Sequence, residues 1–259
     1  MIKPKRITLV DQISRSLREE IITGVYTPAS DLPSEKDLMA RYEVSRLTIR
    51  SALQRLAREG FIEIVQGRGN RVRFFREHIG PNLFPEFMLA SPGKIVSDRV
   101  FSTFRRYIHW LHGNIWMEAC RNAKPSDENK LIEINARIHE KMHFIDVWET
   151  EFTLGREFLR IGDNLLLMMH YNVYVETIMK FIADGAIQEP AYPYSFYGEY
   201  SVRLVKVICA NDMAGLFGLM RELERYSRDI LERYFNKLIQ GFEAREEARR
   251  RMSAPGGTT

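Results

Sequence analysis

Arg46 and Arg50 stand four residues apart, after Ser45 and on either side of Thr48, in a stretch with helical apolar spacing. At about 100° per residue, two side chains four apart project within roughly 40° of each other. Guanidinium forks suit guanine edges and phosphates. Short hydroxyls and free N–H groups at a helix start suit phosphates. Glu43 is the one acid near this pair before Glu59. Arg68 lies between Gly67 and Gly69, small residues that let a backbone approach a phosphate or a groove floor. Elsewhere, His139-Glu140-Lys141-Met142-His143 matches H-E-x-x-H. On a helix that pattern puts both imidazoles on one face, as zinc hydrolysis requires. The pattern has two free positions and no G-x-x-H follows, so a metal-dependent hydrolase is kept only as an alternative. Leu165-Leu166-Leu167-Met168-Met169-His170-Tyr171 reads as core or dimer contact ahead of a ligand wall.

The elements that must hold these residues can be read from periodicity and punctuation. Val10, Ile13, Leu17, Ile21 and Ile22 mark one helix, with Gly24 near its stop. Ser34 is a suitable N-cap for a short second helix to about Tyr42, with Asp37 three residues on. Glu43-Val44 makes a tight connection, Ser45 caps a third helix, and Gly60 closes it. The period then changes. Residues 61–65 and 70–74 read as strands of a hairpin around a Gly-containing tip. Three helices and a hairpin in this order predict a winged helix-turn-helix. Gly80-Pro81, Pro85 and Ser91-Pro92-Gly93 punctuate a linker with at most a short helix near 83–89. Beyond it the pattern is helical, over 98–123, 126–146, 147–159, 164–183, 196–210 and 213–251. Ser126, Asn164 and Asp212 are the expected caps. The expected class is mainly α, with an all-α antiparallel bundle after the winged domain.

The chain has 259 residues, 45% hydrophobic and 28% charged, an ordinary globular mixture of one large or two modest domains. The longest uncharged run, 164–175, has 12 residues, too short to span a membrane. No apolar stretch follows the N-terminal charges, which predicts no secretory leader. Two cysteines make no disulfide framework, which points to a reducing cytosol and a cytoplasmic protein. Residues 1–76 hold 15 Lys+Arg against 9 Asp+Glu, whereas the remainder is mildly acidic. A basic module on an acidic body fits polyanion binding.

Leu32-Pro33-Ser34-Glu35-Lys36-Asp37-Leu38, then Val44-Ser45-Arg46-Leu47-Thr48-Ile49-Arg50-Ser51-Ala52-Leu53, then Leu56-Ala57-Arg58-Glu59-Gly60, then Gly67-Arg68-Gly69, resemble the N-terminal domain of the GntR family of bacterial transcription regulators. The family pattern is L-P-S-E-R-x-L-A, G-V-S-R-T-T-V-R-x-A-L-x-x-L and E-G-L. Lys36 stands for the usual Arg, Leu47 for Thr, and Glu43 for a frequent Gly. The resemblance implies that Lys36, Arg46 and Arg50 read bases or phosphates in the major groove. It implies that Ser45 and Thr48 hold phosphates, and that Gln66, Gly67 and Arg68 form the wing tip near the minor groove. Leu47 would meet a thymine methyl or sugar.

The helical body resembles the FadR-type effector domain, with weaker support: Gly80-Pro81-Asn82-Leu83, Gly162-Asp163-Asn164-Leu165-Leu166, and Asn211-Asp212 before a long helix. The implied layout is a DNA-binding domain over 6–75, a linker over 76–97, an effector-binding and dimerisation domain over 98–251, and a disordered tail over 252–259. Many such domains hold a metal through D-x-x-F-H and two later histidines. Here Glu149 to Thr153 occupies the first motif, and three of four ligands are absent, so no cofactor and no metal are expected. The resemblance places the effector near Glu149, Thr153 and Tyr200. An acidic effector, an organic acid or an acyl-CoA, would then be anchored by Arg105, Arg106 or Arg203. The whole is expected to be a homodimer on double-stranded operator DNA, with a small-molecule effector and no membrane association. A DNA-binding architectural protein whose body only dimerises is the other alternative.

Overall fold

The computed structural model describes residues 8–65, 67, 69–84, 98–139, 141–183, 185, 187–190, 192–226, 228 and 240. The chain divides into two compact units, Met1–Val96 and Ser97–Thr259. Its class is mainly α with, among the described residues, one two-stranded antiparallel sheet.

In the first unit, α1 spans Leu9–Ile22, α2 Glu35–Tyr42 and α3 Arg46–Arg58. Thr8 and Asp11 form a capping box at α1, and Ser34 and Ser45 cap α2 and α3 through the backbone N–H groups of Asp37 and Thr48. Satisfying these first-turn donors fixes where each helix begins. The α2–α3 connection turns at Glu43, whose φ of 53° lies in the left-handed region. Glycine relieves that strain, which explains why it is frequent there in the family pattern. After α3 the chain closes a Schellman motif: Gly60 N–H donates to Ala57 O at 3.1 Å and Phe61 N–H to Leu56 O at 3.0 Å. Gly60 has φ of 87°, and a Cβ there would lie 2.9 Å from His78 O, so only glycine fits.

Strands β1 (Ile62–Val65) and β2 (Gly69–Val72) pair antiparallel from Ile62↔Val72 to Val65↔Gly69. The segment before α2 lines the other edge of β2, with Leu32 N–H on Asn70 O and Val72 N–H on Ser30 O, both 2.8 Å. One core gathers Leu17, Leu38, Ile49, Leu53, Leu56 and Ile62. Each such burial contributes about 1.5–3 kcal/mol. Phe75, Ile79 and Leu83 pack into it too. Part of the segment expected as linker thus completes the first unit, in 3-10 turns at Phe75–Glu77 and Pro81–Leu83. Residues 85–97, including Pro85 and Ser91-Pro92-Gly93, lie outside the described residues, as does the tail 252–259.

Among the described residues of this unit, the Arg18–Glu59 ion pair is buried. Arg18 grips Glu59 at both carboxylate oxygens, 2.7–3.1 Å away, with its side chain only 5% exposed. Arg55 joins from Glu59 to Asp11. This network ties α1 to the end of α3.

In the second unit, α4 spans Asp98–Asn122, α5 Glu128–Asn135, α6 Phe144–Gly162, α7 Leu165–Ala183 and α8 Tyr194–Cys209. A further helix, α9, covers 213–226; the rest of the expected 213–251 helix is largely outside the described residues. Helix α4 packs on α6, α7 and α8, and α5 packs on α6 and α8. Gly162 lets α6 approach α4, because a Cβ there would sit 3.2 Å from Ala119 N. Asn164 caps α7 through Leu167 N–H at 3.1 Å, and Asp212 caps α9 through Gly215 N–H at 2.8 Å. At the end of α8, Asn211 has φ of 54° and donates its amide to Cys120 O and Ala123 O, at 2.7 and 3.1 Å.

The expected 126–146 helix is broken. Ser126 sits inside a 3-10 turn, Pro125–Asp127, and is not the N-cap of α5; α5 ends at Asn135, and among the described residues no regular element follows until α6. His139 is therefore not helical, and His143 is the N-cap of α6, with Nδ1 accepting from Ile145 N–H at 3.3 Å. Glu140 lies outside the described residues. The hydrolase reading needed both imidazoles on one helix face, and this backbone does not provide it. Among the described residues, no helix is long and apolar enough to cross a membrane.

Candidate nucleic-acid interface and buried cavity

The outer face of the first unit is built around the start of α3. Ser45 Oγ accepts from Thr48 N–H at 3.3 Å and lies 2.9 Å from Thr48 Oγ1. Arg46 and Arg50 are 64% and 61% exposed at the side chain. Leu47 is 77% exposed, an apolar group left in water with no packing role. Lys36, on α2, is exposed on its first turn. The structure thus brings Ser45, Arg46, Thr48 and Arg50 together at one helix start. Gly67, at the hairpin tip, has φ of 78°. Gln66 and Arg68 lie outside the described residues.

The sequence reading missed Glu35. Its carboxylate receives Arg50 Nε at 2.9 Å and Arg46 Nε at 3.4 Å, so one acid at the start of α2 holds both guanidinium groups. Glu35 is eleven residues before Arg46 and stands in the sequence only as one residue of the Leu32 to Leu38 segment. The tight turn at Glu43 folds it back onto α3. Two like charges held side by side by one acid present a preordered fork, which loses less freedom when it meets an acceptor.

In the second unit a cavity of about 140 Å³ opens among α4 to α9. Its wall is mostly aromatic, including Trp116, Trp148, Phe152, Tyr174, Phe196 and Tyr200. Its polar groups include Glu151, Tyr197, Asn135, His112, Ser201, Tyr171 and Tyr200. Tyr200 Oη is satisfied by Leu219 O at 2.9 Å. Three others are not: Glu151 Oε2, Tyr197 Oη and Asn135 Oδ1 are buried without a hydrogen-bond partner. Asn135 Nδ2 donates to Tyr197 O at 2.8 Å, which fixes the amide so that Oδ1 is the unpaired end. Tyr197 Oη faces the Glu151 carboxyl and the Tyr192 backbone without completing a well-formed bond to either. Burial pushes the Glu151 carboxyl up to about 7, an effect the Tyr197 hydroxyl opposes. Burial also pushes the His112 imidazole down to about 4, so it is neutral near pH 7.

Tyr200, Glu149 and Thr153 are not brought together. Tyr200 lines the cavity, whereas Glu149 and Thr153 are exposed, joined by Thr153 Oγ1 donating to Glu149 O at 2.8 Å. The reason is helical phase. Trp148, Glu151, Gly155 and Phe158 repeat at the three- and four-residue spacing that lines one face, and residues two away from Glu151 are turned by about 200°. The motif compares the two ends of 149–153, Glu149 and Thr153, and leaves out Glu151 between them. Its signal was an acid in the middle of an apolar stripe. The arginines proposed as anchors are elsewhere. Arg105 and Arg106 line an adjoining open cleft that shares Trp116 and Leu223 with the cavity, and Arg203 is exposed and paired with Glu222 at 2.7 Å. Among the described residues, no group of three or more His, Cys, Asp or Glu is placed to hold a metal ion.

Residues 9–72 match the family model described as bacterial regulatory proteins, gntR family. An uncharacterised HTH-type transcriptional regulator, YurK of Bacillus subtilis, is 38% identical over 94 residues, 35% of this chain and 38% of that protein. A fatty acid metabolism regulator protein of Haemophilus influenzae is 39% identical over 77 residues, 28% of this chain and 32% of that protein. The matched segment thus spans under two fifths of these relatives, and their names are those of regulators, not enzymes. Among solved structures, E. coli McbR/YncC aligns over 91% of this chain at 17% identity with a TM-score of 0.43. The N-terminal unit carries a GntR-family helix-turn-helix domain.

Proposed function

We propose that this chain is a transcription regulator that binds a two-fold symmetric operator as a homodimer, with operator affinity set by a small molecule held in the helical unit. The observation that carries the DNA reading is the exposed start of α3, where Glu35 orders Arg46 and Arg50 beside an exposed Leu47. Arg46 and Arg50 are assigned to base edges, Ser45, Thr48 and Lys36 to phosphates, and Leu47 to a thymine methyl or sugar. The wing, Gln66 to Arg68, is assigned to the adjacent groove. A single winged helix reads too few base pairs for genomic discrimination, and two-fold pairing doubles the site. The cavity with its unpaired polar atoms supports the effector role.

Selection from random duplex DNA, followed by titration of the selected site, tests the DNA reading. A pseudo-palindromic site is expected. Arg46→Ala and Arg50→Ala should each weaken it by about 1–3 kcal/mol at matched salt while leaving the fold intact. Wild-type affinity in both variants would refute the interface. Sedimentation of the operator complex reports the stoichiometry, and one protein per site would refute the dimer.

A further inference from the structure

We infer that the cavity of the helical unit takes a small organic amine with an aromatic or similarly compact apolar body, its ammonium group seated against Glu151, Tyr197 and Asn135. This deepens the effector reading proposed above and rests on it only for its regulatory meaning. Three observations converge. The first is the set of unpaired atoms. Asn135 Oδ1 can only accept, a carboxylate oxygen accepts, and a phenol accepts as well as donates. Buried polar atoms without partners are uncommon, and three lining one cavity describe the complement of a donor-rich head group. The second is charge. Among the described residues, no Lys or Arg lines the cavity; its ionisable groups are Glu151, His112 and tyrosines. Within it a carboxylate or phosphate would meet no cation and would face an acid; the arginines Arg105 and Arg106 belong to the adjoining cleft. An ammonium ion meets the acid and, around it, the negative faces of aromatic rings. The third is size. A cavity of about 140 Å³ is close to one known to hold benzene, so it suits a body of about one ring.

The burial that pushes the Glu151 carboxyl up to about 7 fits the same picture, since an empty site favours the protonated acid and a bound ammonium restores the carboxylate. Tyr171 from α7 and Tyr197 from α8 stand beside it, and His112 from α4 lines the same cavity.

The test uses the full chain without DNA at pH 8. It is titrated by calorimetry and thermal shift with benzylamine, phenethylamine, tyramine and cyclohexylethylamine, each beside the carboxylic acid and the alcohol of matched shape. At least one amine should raise the melting point progressively with concentration, and its acid counterpart should not. Glu151→Gln should weaken that amine roughly ten- to a hundred-fold, and Tyr197→Phe by less, since charge-assisted hydrogen bonds outweigh neutral ones. Tyr197→Phe removes one oxygen and serves if Glu151→Gln does not fold. The inference is overturned if no amine binds, if the acids bind as well as the amines, or if both variants bind the amine as wild type does. Operator binding of the ligand-free protein is measured in parallel. Loss there with amine binding intact would sink the regulator reading and not the site.

Discussion

The two units place their polar chemistry in opposite ways. At the start of α3 the charged groups face water, and each has a partner: Arg46 and Arg50 share Glu35, and Ser45 answers Thr48. In the helical unit the polar groups face inward, and three of their atoms have no partner. A surface that must exchange water for DNA tolerates exposed charge because solvent pays for it while the site is empty. An interior cavity has no such substitute, and its unpaired oxygens raise the energy of the empty state. On the reading proposed above, the first unit is finished without its ligand, whereas the second would be completed by one.

The comparison can be broken most forcefully at the buried ion pair of the first unit. Arg18→Ala leaves Glu59 in the α1–α3 interface with only Arg55 to answer it, and should cost about 3–5 kcal/mol in urea unfolding of the full chain. A loss of only a few tenths would show that the pair behaves as a surface bridge.

The next largest effect lies in the helical unit and has the opposite sign. Burial raises Glu151 from an ordinary 4.5 to about 7, so between those values the folded protein holds a proton the unfolded chain releases. Its contribution is present below about pH 4.5 and is lost as pH rises through 7. His112, lowered to about 4, works the other way and regains stability as pH rises from 4 to its ordinary 6.5. Glu151→Gln should therefore be close to wild type at pH 4.5 and more stable at pH 8, by about 2–3 kcal/mol, in unfolding curves at the two pH values. Equal stability at pH 8 would mean that the carboxyl is not held in a costly place.

A smaller effect sharpens the reading of the outer face. Glu35→Ala frees both arginines and removes a negative charge from the interface. Binding to unrelated duplex should tighten, while the ratio of operator to unrelated affinity should fall, by about 1 kcal/mol in competition titrations. An unchanged ratio would make Glu35 a bystander. The smallest change is Glu43→Gly, which relieves the left-handed residue between α2 and α3 and should add about 0.5–1 kcal/mol of stability.

The first unit was legible because its signals are local. Ser34, Ser45 and Gly60 are caps that act within three or four residues, and apolar spacing set the faces of α1 and α3. What sequence did not show was the meeting of Glu35 with two arginines, because that depends on the angle the Glu43 turn imposes. In the helical unit the long helices were legible, and the break after Asn135 was not. Residues 136–143 hold no proline and no glycine, and the chain leaves the helix there under tertiary control, with Asn135 drawn to Tyr197 O. The cavity was misplaced by two residues for a related reason. A motif fixes which positions to compare, but only the rotation of α6 decides that Glu151 points inward and Glu149 outward.

Asn211 has a consequence on a different timescale. Asparagine is among the chemically fragile residues, because its side-chain carbon can be attacked by the next residue's backbone nitrogen, with loss of ammonia. Here that nitrogen, on Asp212, is engaged with Val207 O at 3.1 Å, and the departing amide is held by Cys120 O and Ala123 O. The attacker and the leaving group are both occupied by the joint they form. The α8–α9 corner thus uses a perishable side chain in a setting that slows its decay, so the joint should outlast exposed asparagines as the protein ages.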